Sequence, residues 1–158
     1  MNTLAIGAAK AAIGALLAAL VAIQFWVVPE LARGFARIAP EFAHLEVPGV
    51  VIVGLFVACI EVVLVCLWRL LSMVAAQRIF TDAAFAWVDA VIASIVAAVA
   101  LVVIGSATLS WAQAGNPLTL LLAALGVIAG TGAALVVWVM RSLLRRATTL
   151  EHELSEVV

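Results

Sequence analysis

Glu61 stands in the middle of VACIEVVLVCLW, residues 57–68, a run that otherwise reads as lipid-soluble helix. A charged carboxylate is costly there, so intramembrane acids are functional candidates by default. The same run holds both cysteines, Cys59 and Cys66. Seven residues apart on one helix, they are separated by about 10 Å of rise, too far to bridge within one chain. As metal ligands they would lack neighbours. The two histidines, His44 and His152, fall on opposite sides of the membrane in the topology derived below, which excludes a bis-histidine haem within one subunit. The sequence contains no Gly-rich phosphate loop, no nucleophile elbow and no Cys/His zinc spacing. These residues predict no cofactor and no metal site, and they argue against an enzyme.

The elements that must hold Glu61 follow from composition. Hydrophobic residues make up 68% and charged residues 11%, and the mean hydropathy is +1.32. A soluble domain is about half apolar and about a quarter charged. The chain is therefore expected in a membrane. Four apolar stretches, at about 11–28, 49–74, 83–111 and 117–140, each suffice to cross a hydrocarbon core of about 30 Å. Their Ala, Leu and Val content suits helices, with no trace of the short alternating segments of a barrel. The expected fold class is all-α: a four-helix membrane bundle spanning residues 1–140, with a cytoplasmic tail at 141–158. The first stretch lacks a small-x-small cleavage site before a polar start, so it is expected to be a retained span rather than a signal peptide.

Orientation follows from the basic residues. An inside N-terminus puts Lys10, Arg69, Arg78, Arg141, Arg145 and Arg146 on the cytoplasmic side and only Arg33 and Arg37 outside. The positive-inside rule then predicts both termini in the cytoplasm, as for a multi-pass protein of a bacterial inner membrane.

Glu61 lies twelve residues into the second span if that span begins at Gly49, about 18 Å along the helix and close to the midplane. No Lys or Arg shares that level. Candidate hydrogen-bond partners are Ser94 and Ser106, with Ser110 and Gln24 nearer the outer surface. Burial without a cation favours the neutral acid. One reading is thus a protonated Glu61 donating a single hydrogen bond across the bundle. The other is a titrating group of a small, oligomeric proton-coupled transporter.

The connections carry further signals. In residues 29–48, PELARGFARIAPEFAHLEVP, Leu31, Phe35, Ile38 and Phe42 recur at helical spacing opposite Arg33 and Arg37. This predicts an interfacial outer helix interrupted at Pro40 and ended before Pro48, serving as a connector at the headgroups or as a docking lid. The inner hairpin AAQRIFTDAAF, centred near Ile79, puts Arg69 and Asp89 ten residues to either side. An Arg69–Asp89 ion pair is expected there, near an aromatic belt of Trp68 and Trp87. Thr81 or Asp82 is the expected N-cap of the third span. The outer turn AQAGNP reads as a plain loop.

Gly126, Gly130 and Ala134 form a small-xxx-small face for close helix approach, either within the chain or in a homo-oligomer. In the tail, Met140, Leu143, Ala147, Leu150, Leu154 and Val157 repeat in steps of three and four, a short a/d pattern that suits a docking helix. A solvated helix that ends the protein fits the same pattern. Phe80, Thr81 and Asp82 of the hairpin, with Leu143, Leu150 and Leu154 of the tail, are the candidate partner-docking residues. The basic residues lie too close to lipid for a nucleic-acid footprint and suit anionic headgroups.

PEFAHLEVP in the outer segment, VCLWRLLSMV running into RIFTDAAFAWVD around the hairpin, and the acidic ELSEVV ending together resemble the bacterial DUF2975 membrane proteins over nearly the whole length. That family is common in actinobacteria and often encoded beside small helix-turn-helix regulators. The resemblance implies four spans and a regulatory role through a cytoplasmic helix-turn-helix partner, and it carries over no catalytic residue. The expected function is a non-enzymatic regulatory or scaffolding anchor. A proton-coupled transporter using Glu61 and an accessory subunit of a larger membrane complex are the alternatives.

Overall fold

The computed structural model describes the backbone of residues 3–75 and 82–156 and the side chains of residues 6–75 and 84–146. Every described element is helical: α1 (Thr3–Ala22), one π-helical turn (Ile23–Val27), α2 (Val28–Ile38), a 3₁₀ segment (Pro40–Leu45), α3 (Glu46–Ala75), α4 (Asp82–Trp111) and α5 (Pro117–Glu156). Four stretches, Ile6–Ile38, Pro40–Ala75, Ala84–Trp111 and Pro117–Arg146, are long and apolar enough to cross a membrane. The protein is a multi-pass membrane protein, all-helical among the described residues.

Prolines explain the irregular turns of the first half. Pro29 offers no N–H to the carbonyl four residues back, and its ring would clash with that carbonyl. The helix widens in the turn just before it, where the Val28 N–H donates to the Ile23 carbonyl, five residues back. α1 and α2 therefore form one continuous rod rather than a span followed by a separate connector helix. α2 is nevertheless amphipathic, with Leu31, Phe35 and Ile38 exposed and an Arg33–Glu30 ion pair of 3.1 Å. Pro40 drives the preceding Ala39 out of helical geometry, to φ −130° and ψ 78°. That break falls where the sequence placed it. The expected stop before Pro48 does not occur, because α3 already starts at Glu46. Pro48 sits in the first turn, where no N–H is needed.

The turn between α4 and α5 is more specific than a plain loop. The Ala114 N–H donates to the Leu109 carbonyl at 3.0 Å and the Gln113 N–H to the Ser110 carbonyl at 3.1 Å, the two bonds of a Schellman cap. Gln113 takes the left-handed position at φ 54° that glycine usually fills. Asn116 then caps α5, its Oδ1 accepting the Thr119 N–H at 2.8 Å, with Pro117 first in the helix.

Among the described residues, α1 and α2 pack on α3, α3 on α4, and α4 on α5, while any other pair of spans approaches only marginally. Among the described residues the spans of the expected four-helix bundle thus lie in a row. A closed bundle needs its first and last helices to meet, and here α5 spends its small-residue face on α4. Among the described residues the buried core is correspondingly thin: Val57, Cys66, Ala84 and Val91, all on α3 and α4. The accessible surface is 10841 Å², against roughly 7,500 Å² for a compact soluble monomer of this mass. Lipid or protein must cover the difference.

Candidate functional site

Close approaches of small residues fix the register of the row. A Cβ added to Gly130 would stand 2.5 Å from Val99 Cγ2, and one at Gly126 would stand 3.9 Å from Val102 Cγ1. Both glycines face α4, so the small-residue face is used within the chain. On α5 the partly buried residues Ala123, Val127, Gly130, Ala134, Val137 and Arg141 recur in steps of three and four. They are one stripe laid against α4. In antiparallel helices, stepping eleven residues from Gly130 to Arg141 on α5 means stepping back about as far from Val99 on α4, to Asp89 and its neighbour Val88.

The expected Arg69–Asp89 pair is accordingly replaced. Arg141 Nη2 donates to Asp89 Oδ2 at 2.6 Å, and Arg141 Nε lies 2.6 Å from Asp89 Oδ1 in an ion-pair contact whose angle is too bent for a hydrogen bond. The Arg141 side chain is 22% exposed and that of Asp89 51%. Arg69 instead lies over the Trp87 ring, 5.6 Å from its centroid. Trp87 and Asp89 are two residues apart, about 200° around the helix. The level of Arg69 and Asp89 was readable from the hairpin; the face was not.

Glu61 occupies the α1-facing side of α3. It lies one heptad before Trp68, whose ring meets α1 at Gly14: a Cβ there would stand 2.9 Å from Trp68 Cζ3. Its Oε1 is shielded and has no hydrogen-bond partner, and the same holds for Oε1 of Gln24 in the π turn of the first span. Among the described residues, the cross-bundle bond expected of Glu61 is absent. The Ser106 hydroxyl donates to the Val103 carbonyl and that of Ser110 to the Ser106 carbonyl, each inside its own helix. Cys59 and Cys66 are free, Cys66 being the most buried side chain described, 1% exposed.

A groove of about 550 Å³ runs between α1 and α3, lined by Gly14, Leu17, Val65, Trp68, Arg69 and Ser72. Its only advance signal was Gly14, which lets the Trp68 ring lie against the α1 backbone.

The docking residues are less completely placed. Phe80 and Thr81 lie outside the described residues, as do the side chains of Asp82, Leu150 and Leu154. Asp82 opens α4. Leu143 is exposed, at 58%. The tail is no separate element, since α5 continues unbroken from the last span to Glu156.

A family described as a protein of unknown function, DUF2975, matches residues 30–158. The chain belongs to the DUF2975 family. The match takes in α2 to α5 and leaves out α1, so the shared part is narrower than the nearly full length expected from sequence. The DUF2975 region contains Glu61, the Arg141–Asp89 pair and the Arg69–Trp87 stack, whereas Gly14, Leu17 and Gln24 precede it. No curated protein and no solved structure matches the chain.

Proposed function

We propose that this DUF2975 protein is a non-enzymatic anchor in a bacterial inner membrane, with both termini cytoplasmic, holding a cytoplasmic regulator of helix-turn-helix type on its C-terminal helix. The observation that carries this reading is the length of α5. At about 1.5 Å per residue, its 40 residues extend about 60 Å, twice what the hydrocarbon core requires. The Arg141–Asp89 pair and the Gly130 contact hold the membrane half of α5 against α4. The rest of the helix would then project at a defined place and angle. A projecting helix with Leu143, Leu150 and Leu154 on an a/d stripe needs a partner to bury that stripe.

Photo-crosslinking from Leu150 and Leu154 in living cells tests this. The expected product joins those two positions, but not Thr149 or His152, to one soluble DNA-binding protein. Equal crosslinking from all four positions would contradict a docked stripe.

The open row supports a second reading, in which the chain is one subunit of a larger membrane complex. A neighbouring membrane protein would then cover the flank of α1 and α3. Partners retained in mild detergent independently of the tail would favour it.

A further inference from the structure

We propose that the groove between α1 and α3 binds an acidic phospholipid, with Arg69 taking the headgroup phosphate and the groove an acyl chain. The starting point is the state of Arg69. It is exposed, and Asp89, the carboxylate at its level, is engaged by Arg141. Among the described residues Arg69 has no carboxylate partner and no hydrogen bond; its one recorded partner is the face of Trp87. A guanidinium on an aromatic face keeps its in-plane N–H donors, and that fork matches a phosphate.

The groove supplies the remainder of the site. Its volume of about 550 Å³ lies within the usual span of ligand pockets. Leu17, Val65, Trp68 and the backbone at Gly14 give it an apolar floor, while Arg69 and Ser72 stand at the end where α3 finishes. The Ser72 hydroxyl donates to the Trp68 carbonyl at 2.8 Å, which leaves its oxygen as an acceptor and makes Arg69 the anion-binding group. Lys10 adds to the charge: the chain turns back through Pro40–Leu45, so α3 runs antiparallel to α1, and with Gly14 against Trp68, Lys10, one turn before Gly14, comes level with Ser72. The site is thus cationic at its mouth and apolar along its length. Free phosphate would use only the mouth. A phospholipid uses both.

This inference draws on no residue of the proposed docking stripe and stands or falls separately from it. The test is thermal unfolding of the full chain in neutral detergent at 0.15 M salt or above, where diffuse surface attraction is largely screened. Short-chain phosphatidylglycerol, phosphatidylcholine of equal chain length, and inorganic phosphate are titrated in turn. Phosphatidylglycerol should raise Tm in a saturable way, and the other two should not. Arg69→Gln should weaken the phosphatidylglycerol response by about 10- to 100-fold in apparent affinity, the usual worth of charge-assisted hydrogen bonds. Arg69→Lys should recover only part of it, and Arg146→Gln should leave it unchanged. Leu17→Trp, which fills the groove without touching Arg69, should also abolish the response and decides the matter should Arg69→Gln fail to fold. An equal response to inorganic phosphate would reduce the site to free-anion binding and overturn the lipid assignment. A phosphatidylglycerol response that survives both Arg69→Gln and Leu17→Trp would overturn the site itself.

Discussion

Gly130→Ala should destabilise the protein although alanine is the better helix former. The added Cβ would lie 2.5 Å from Val99 Cγ2, well inside a carbon–carbon contact of about 3.5–4.0 Å. Something must therefore move by about 1 Å. Val99 is β-branched and held to essentially one rotamer in a helix, so its side chain cannot swing away and α5 has to shift off α4. Overpacking of this kind costs about 1–3 kcal/mol. Gly126→Ala is the matched control, because its Cβ would stand 3.9 Å from Val102 Cγ1, an ordinary contact. The gain in helix propensity, up to about 1 kcal/mol, is common to both and cancels in the comparison. Gly130→Ala should therefore be less stable than Gly126→Ala by about 1–3 kcal/mol, and Val99→Ala should recover most of the gap in a double-mutant cycle. Reversible unfolding in mixed detergent micelles measures this. Equal stability of the two variants would refute the packing of α5 on α4 through Gly130.

Other perturbations probe different parts of the row. Asp89→Ala should cost about 1–3 kcal/mol, less than a fully buried pair because Asp89 is half exposed, and it should be non-additive with Arg141→Gln but additive with Arg69→Gln. Coupling of Asp89 to Arg69 instead would reverse the assignment of the pair. Gln113→Gly should stabilise by up to about 1 kcal/mol by relieving the left-handed backbone; a loss of thermal stability would contradict the Schellman cap. Glu61→Gln should unfold at the same temperature as the native chain, since Glu61 has no hydrogen bond to lose, and a large drop would reveal a partner for that carboxyl.

Span number and helical class were legible because an apolar run of about 20 residues permits few other structures. The break at Pro40 was legible too, because proline constrains its own turn and the residue before it. Lateral order was not. Hydropathy is nearly uniform around these helices, so it does not tell which face of α4 meets α3 and which meets α5, and Asp89 pairs with Arg141 rather than with Arg69. The correct partner was within reach: continuing the Gly130–Ala134 stripe by three and then four residues arrives at Val137 and Arg141. Two of the hydroxyls expected to serve Glu61, those of Ser106 and Ser110, donate within their own helix instead, a habit of Ser and Thr in apolar helices. The Asn116 cap is invisible to charge patterning, which sees only an uncharged turn in AQAGNP, and shows only in the Asn-Pro pair that opens α5.

The central proposal is that α5 carries the docking element beyond the membrane. The most direct measurement is mild-detergent purification of the full chain, beside a chain ending at Arg146, from the native cell, with mass spectrometry of what each retains. The expected result is one soluble helix-turn-helix regulator on the full chain, its loss from the shortened chain, and an intact membrane domain in both. Retention of the same partner by the shortened chain would contradict it.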